Sequence, residues 1–314
     1  MLHRTIILIG LLFLIGCGPQ LAQPVTFVNV RKGSAGLVFD FAEGFPPDKV
    51  FEDSQLLLAL ELKNDGAEDI EGGILALSLE RDYMGIKSWN TESRTLTSKN
   101  KNTATFRLEG KKQTNPKGDQ DVVMADLESL ILERQTETHT VNLIVSACYP
   151  YRTIFAENTC IDTDIFGAKP VEKNCKVEEK SFTGQGGPVA VTKIEPQMIP
   201  APDKTKIIPQ YIITIENVGN GQIIDRLSLQ NVCSSSPVDK DTYNKLSLKA
   251  TLSDVTMDCK DATFTLRDKK KTTICKAASS VSKSLGSFLA PLLIELEYGY
   301  TETIGKEIEI RRLG

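Results

Sequence analysis

Most hydrolytic and transfer chemistry needs a positioned general acid or base, and this 314-residue chain offers few. It has two histidines, His3 and His139. His3 falls in the leading apolar segment, so a Ser-His-Asp or Cys-His site would rest on His139. That residue lies in Thr138-His139-Thr140, at the start of a predicted strand, with no elbow to present a nucleophile. A surface strand residue is the simpler reading. Paired carboxylates are a second route to hydrolysis. The densest pairs are Asp162/Asp164 and Asp239/Asp241, in predicted loops, where aspartate mainly bonds local backbone. Neither pair continues into the acidic loop with a Gly and a distal Glu that holds calcium. Gly184-Gln185-Gly186-Gly187-Pro188 lacks the Lys-Ser/Thr and following helix of a phosphate loop. These residues lead to an expectation of no catalytic residues, no metal and no cofactor.

Aromatic side chains offer a binding alternative. Tyr83 and Trp89 bracket Met84-Gly85-Ile86-Lys87-Ser88, and Trp89 is the only tryptophan. Such rings are enriched where partners are gripped, so Tyr83 and Trp89 are candidate partner-binding residues on a predicted loop; packing against the core is the alternative. The stretch from Lys111 to Gln120 is a second candidate loop. The pairs Tyr149/Tyr151 and Tyr298/Tyr300 stand at i and i+2, on one face of a strand. Recurring in both halves, they read as fold residues.

Seven cysteines remain to be placed. Cys17 closes an apolar run from Ile6 to Ile15, preceded by Arg4 and no acid, which has the parts of a secretory signal. The run is too short to span a bilayer, which takes roughly twenty apolar residues. Leu14-Ile15-Gly16-Cys17 resembles the lipobox of prokaryotic lipoproteins. That resemblance implies cleavage before Cys17, a lipid thioether on its sulfur, and a chain hanging from the outer face of the cytoplasmic membrane or the cell envelope. The other six, Cys148, Cys160, Cys175, Cys233, Cys259 and Cys275, form an even set suited to three disulfides in an exported protein. No two have Cys-x-x-Cys spacing, which argues against zinc. Closeness in sequence favours Cys160–Cys175 and Cys259–Cys275, leaving Cys148 and Cys233 to join the domains.

Composition and pattern indicate what holds these residues. Hydrophobic residues are 40% and charged residues 25% of the chain, which permits real cores and argues against disorder. Net charge is −4, with no basic stripe, so nucleic acid is not an expected partner. Lys111-Lys112 and Lys269-Lys270-Lys271 are short and sit at predicted turns.

Nearly every segment after Val25 reads as strand. Val25, Phe27 and Phe39-Asp40-Phe41 are short runs. Longer ones cover Phe51–Leu62, Gly73–Leu79, Thr103–Leu108 and His139–Cys148. In Asp121–Arg134, Val123, Leu127, Leu130 and Ile131 fit a helix while Val123, Ala125 and Leu127 alternate as a strand; a strand followed by a loop is the favoured reading. After Pro188 come Val189–Ile194, Tyr211–Ile215, Ile223–Leu229, Leu246–Leu252, Ala262–Leu266, Thr272–Lys276, Leu292–Tyr298 and Ile304–Ile310. The expected division is signal 1–16, lipidated tether 17–24, first domain 25–156, Cys-containing linker 157–188 and second domain 189–314.

The halves repeat. Leu60-Glu61-Leu62-Lys63-Asn64-Asp65-Gly66 matches Ile213-Thr214-Ile215-Glu216-Asn217-Val218-Gly219. Tyr149-Pro150-Tyr151 matches Tyr298-Gly299-Tyr300, 85 residues beyond the first Asn and 81 beyond the second. Two motifs in register argue for a duplicated unit. A strand, an Asn-x-Gly turn and a second strand in an antiparallel pattern resemble the cell-adhesion-related bacterial Ig-like family. The whole chain resembles a prokaryotic envelope lipoprotein. The resemblance implies an all-β chain of two tandem Ig-like antiparallel β-sandwich domains after a lipoprotein signal peptide. It implies a surface address and no catalytic residues. The expected function is a lipid-anchored, non-enzymatic binding, adhesion or assembly module. Its partners would be the membrane through Cys17 and another envelope protein or a glycan. The alternatives are a lipid-anchored solute-binding protein and a carboxylate-dependent hydrolase.

Overall fold

The computed structural model describes residues 29–89, 93–167, 172–234 and 236–313. The expected signal, Cys17 and tether, with the runs at Val25 and Phe27, lie outside the described residues. The fold is all-β, and its first half holds nine strands among the described residues: β1 (Leu37–Phe41), β2 (Lys49–Phe51), β3 (Gln55–Asn64), β4 (Ile70–Ser78), β5 (Met84–Trp89), β6 (Leu96–Lys99), β7 (Thr103–Leu108), β8 (Gln120–Ser129) and β9 (Thr138–Asp162). The second half continues with β10 (Lys180–Ser181), β11 (Val189–Pro200), β12 (Lys206–Asn217) and β13 (Gln222–Ile224). The short helix α1 (Leu229–Cys233) precedes β14 (Lys245–Leu252), β15 (Val255–Cys259), β16 (Thr263–Thr265), β17 (Lys270–Ala277), β18 (Val281–Ser282) and β19 (Ser287–Arg311).

Everything is arranged about β9 and β19. Each is 25 residues long, and they pair antiparallel over their whole length, from Thr138↔Arg311 to Asp162↔Ser287. Pro150 faces Gly299 at the midpoint, so the ladder carries a pseudo-two-fold axis there. At about 3.4 Å per residue the ladder runs about 80 Å. Period-two burial explains one continuous strand: Val141, Leu143, Val145, Ala147, Tyr149, Tyr151, Thr153 and Phe155 are all buried on one face. On β19 the buried set runs Leu292, Ile294, Leu296, Tyr298, Tyr300 and resumes at Ile308 and Ile310.

This ladder belongs to a layer common to both halves. In the first half, β4, β7 and β6 extend it beyond β9, while β1-β3-β8-β5 form a separate sheet. Leu56, Leu58, Leu60 and Leu62 of β3 are buried in the same core cluster as the inward face of β9. In the second half, β14 extends the ladder beyond β19 and β11-β12-β17-β15 form the other layer. Strand β15 pairs with β14 at Thr256 and with β17 from Met257, so it bends from one layer into the other.

Several expectations are corrected by this pairing. The Asn-x-Gly turns do not join hairpin neighbours. Strand β3 pairs with β1 and β8, whereas β4 pairs with β7 and β9, so the turn at Asn64 passes the chain between layers. The strand expected at Ile223–Leu229 stops at Ile224, where Asp225 accepts from the Leu227 N–H (3.1 Å) and starts a 3-10 turn leading into α1. The strands expected at Leu292–Tyr298 and Ile304–Ile310 are one strand, β19. The boundary placed after Ala156 falls inside β9, because its apolar alternation does not stop there. The restart at Val189 coincides with the first residue of β11. The strand-then-loop reading of 121–134 matches β8, which ends at Ser129.

All six described cysteines are bonded: Cys148–Cys233, Cys160–Cys175 and Cys259–Cys275, with Cα–Cα distances of 5.9, 5.7 and 4.0 Å. The first pins α1 of the second half to β9 beside β4, and the last bridges directly opposed residues of β15 and β17. Three formed disulfides suit an oxidising, exported environment. Among the described residues no helix is long and apolar enough to cross a membrane.

Candidate functional site

The waist of the molecule, around Pro150 and Gly299, is built by the two repeated motifs. Four buried tyrosines meet there: ring centroids of Tyr149 and Tyr300 are 5.8 Å apart, and those of Tyr151 and Tyr298 are 6.1 Å apart. Each hydroxyl has a structural partner. Tyr149 accepts the N–H of Leu37 (3.2 Å), the first residue of β1. Tyr298 accepts the N–H of Val189 (3.2 Å), the first residue of β11, and bonds Thr153 Oγ1 (2.8 Å). Tyr151 donates to the Gly186 carbonyl (2.9 Å), and Tyr300 donates to Asn217 Oδ1 (3.0 Å). Burial pushes the Tyr149 and Tyr298 hydroxyls well above the ordinary tyrosine range, so they remain neutral hydrogen-bonding groups. Asn64 and Asn217 lock their turns in parallel fashion, each accepting the N–H two residues on (Gly66, 3.0 Å; Gly219, 3.2 Å). Each also donates to the carbonyl four residues on (Glu68, 2.9 Å; Gly221, 2.9 Å). The fold reading of the tyrosine pairs matches these contacts.

Beside this core one carboxyl stands apart. Burial pushes Glu302 up to about 7, partly countered by its bond to the Tyr149 hydroxyl.

Outside the tyrosines the waist opens into a groove of about 630 Å³. Its walls carry an ion-pair chain: Arg31 Nη2 to Glu68 Oε1 (2.8 Å), Glu68 Oε2 to Arg152 Nη2 (2.7 Å), and Arg152 Nη1 to Glu295 Oε2 (3.8 Å). Lys112 bridges Glu109 and Asp69, and Arg226 reaches Glu297 (3.3 Å). Each of these cations already has an acidic partner. Lys111 and Lys112, from the candidate loop 111–120, line this groove.

The two ends of the ladder differ from the waist in chemistry. At one end Phe51, Ile131 and Leu313 are 53%, 71% and 57% exposed. They are gathered around Glu52, which accepts from the N–H groups of Leu132 and Leu313. At the other end Phe166, Leu285 and Leu289 are 80%, 62% and 61% exposed, beside the turn where Thr163 N–H bonds the Gly286 carbonyl. No sequence pattern singled these residues out, and Phe51 stood at the start of an expected strand.

The candidate chemistry residues are dispersed. His139 Nε2 lies 3.1 Å from Glu80 Oε2, and its ring stacks on Tyr83 with centroids 3.7 Å apart. His139 holds the Glu80 carboxyl below its usual value. Asp162 takes Lys173 Nζ (2.5 Å) on one oxygen and the Asp164 N–H (2.9 Å) on the other. Asp239 and Asp241 are exposed around the 3-10 turn Lys240–Thr242. Among the described residues no group of three or more His, Cys, Asp or Glu is placed to hold a metal ion.

The aromatic candidates are corrected. Residues 84–89 are not a loop but the edge strand β5, paired with β8. Met84, Ile86 and Trp89 alternate inward, and Trp89 is 4% exposed. Its ring fills the core and is not offered to a partner. Tyr83 is half-buried against the same core and against His139.

No family model matches the chain, and no curated protein matches it. Among solved structures, the secreted serine protease VesC from Vibrio cholerae aligns with 85% of this chain at 10% identity and a TM-score of 0.17. The chain spans half the length of that protein. A likeness this low carries no argument about fold or activity.

Proposed function

We propose that this chain is an exported, lipid-anchored, non-enzymatic assembly module. Each half is an Ig-like sandwich, and the halves share their longest strands. The observation that carries the reading is the placement of exposed apolar side chains. Phe51, Ile131 and Leu313 lie at one end of a ladder of about 80 Å and Phe166, Leu285 and Leu289 at the other. Grouped exposed apolar residues mark interaction surfaces, whereas single ones are ordinary. Phe and Leu side chains suit a protein partner better than a glycan. The waist supports the same reading, since its tyrosines and ion pairs are committed to holding the halves in line. His139, Asp162 and Asp164 take part in local contacts of the kind a scaffold uses. Strands make up 58% and helix 5% of the structure, which gives no support to an α/β solute-binding cleft at strand ends. The carboxylate-dependent hydrolase stays the alternative enzyme class, resting on the exposed Asp239/Asp241 pair.

The test is capture of envelope proteins by the full-length chain and by a Phe166→Ser/Leu285→Ser variant. We expect a partner retained by the wild type to be lost from the variant at unchanged melting temperature, these side chains being mostly exposed. Equal capture by both would remove that end from the interface. A turnover abolished by Asp239→Asn or Asp241→Asn would replace the reading with an enzyme.

A further inference from the structure

The described residues begin at the waist, not at an end. Arg31 pairs with Glu68 in the waist groove, the Gly33 carbonyl accepts from the Gly186 N–H (2.9 Å), and Leu37 hangs on the Tyr149 hydroxyl. Val30 and Arg31 line the same groove as Pro150, the midpoint of the ladder. From Pro150 to either end, Thr138 or Asp162, is twelve residues, about 40 Å along the strand. From Cys17 to Asn29 is also twelve residues, which reach at most about 40 Å in any conformation.

These two lengths decide a posture. An elongated molecule standing on one end would hold its waist about 40 Å above the surface. An anchor at Cys17 would then need every residue of the connection at full stretch, and any less extended connection draws the waist down and lays the ladder over. We infer that, anchored through Cys17, this molecule lies along the bilayer, its waist toward the lipid and both apolar ends at similar height. This rests on the lipid-anchor reading above and adds the bilayer as the partner of the waist face. Two proteins that dock at the two ends would then sit side by side along the membrane.

The test is energy transfer to headgroup-labelled acceptor lipids in phosphatidylethanolamine/phosphatidylglycerol vesicles. Donors are placed singly, through azido side chains, at Gln113 in the groove and at Ile131 and Leu285 on the ends. The chain is used in two forms: as extracted from membranes, and as residues 17–314 coupled through Cys17 to a maleimide lipid. We expect the end donors to give transfer within about twofold of each other, with Gln113 at least as high. Inserting twenty Gly/Ser residues after Pro24 should lower transfer at all three positions, since it removes the length limit. Transfer several-fold stronger at one end than the other would overturn the posture, as would indifference to the insertion. Intact mass of the extracted protein reports the anchor separately: Cys17 without lipid refutes the anchor and the native posture with it. An end-on result on the maleimide-coupled chain refutes the posture alone.

Discussion

The two halves meet the shared ladder by the same backbone solution but with different polar partners. Leu37 and Val189 are equivalent strand starts, each paired with a turn asparagine (Asn64, Asn217) and each giving its N–H to a tyrosine of the ladder. Beyond that the halves diverge. The Tyr298 hydroxyl is completed by Thr153, whereas the position related to Thr153 across the pseudo-two-fold is Glu302, set against Tyr149. Tyr300 donates to the asparagine of its own turn, whereas Tyr151 accepts the Glu68 N–H of its own turn and donates to the Gly186 carbonyl, from the segment before β11. Two of the three disulfides, Cys160–Cys175 and Cys259–Cys275, brace the second half's end of the ladder and its outer layer. The first half has no bridge of its own among the described residues. Each junction therefore borrows from the other half: Thr153 of β9 completes Tyr298, and Gly186, just before β11, accepts from Tyr151.

Breaking the tie between the halves should have the largest effect. Replacing Cys148 and Cys233 by Ser frees a separation of 85 residues, about 4–5 kcal/mol in the chain-entropy model. The bridges at separations of 15 and 16 are each worth about 3 kcal/mol. Denaturant midpoints of the non-reduced variants check this. A loss no greater than that of Cys160→Ser/Cys175→Ser would mean that the ladder alone joins the halves.

A smaller effect is expected from crowding the two asparagine turns. A Cβ at Gly66 would run into the Tyr151 hydroxyl, and one at Gly219 into the Tyr300 hydroxyl. We expect Gly66→Ala and Gly219→Ala each to cost about 1–3 kcal/mol. Tyr151→Phe should cost about 1–2 kcal/mol, since it leaves the Glu68 N–H without the hydroxyl that accepts it and takes one of two donors from the Gly186 carbonyl. In the Gly66→Ala/Tyr151→Phe double variant the losses should be well below additive, because removing the hydroxyl makes room for the methyl. Additive losses would show that Tyr151 does not press on this turn.

The most selective effect belongs to Glu302. Its folded-state value of about 7 lies above the ordinary 4.5, so between those pH values the folded chain binds more protons than the unfolded chain. Stability must then fall as pH rises through that window and level off on either side. Glu302→Gln should match the wild type at pH 4, melt higher at pH 8, and remove the slope between. An identical difference at both pH values would mean that the carboxyl is not the source.

Much of the secondary structure was legible because local sequence decides it. Strand β7 was placed to the residue and β14 nearly so, because their apolar residues alternate without interruption, whereas adjacent apolar residues left β8 between helix and strand. The cysteine pairs followed from proximity for the two short loops and from elimination for the third. Glu302 is why β19 looked like two strands: a half-buried acid in the inward row breaks the alternation, although the backbone pairing continues through it. Trp89 was misplaced for the opposite reason. Met84-Gly85-Ile86-Lys87-Ser88 was read as a loop bracketed by Tyr83 and Trp89, and only pairing with β8 turns Met84, Ile86 and Trp89 inward.

By itself, the sequence determined that the chain is built of strands, that it repeats, that its tyrosines at i and i+2 share a face, and which cysteines lie close enough to pair. Each of these depends on the period of side chains along one strand or on short loop lengths. Tertiary structure alone decided which strands lie side by side, that the Asn-x-Gly turns pass between layers, and that β9 and β19 run unbroken through both halves. It also decided that the described residues begin at the waist. Hydrogen-bond partners in a sheet come from residues far apart in sequence, and alternation shows which face a residue takes without showing its neighbour across the ladder.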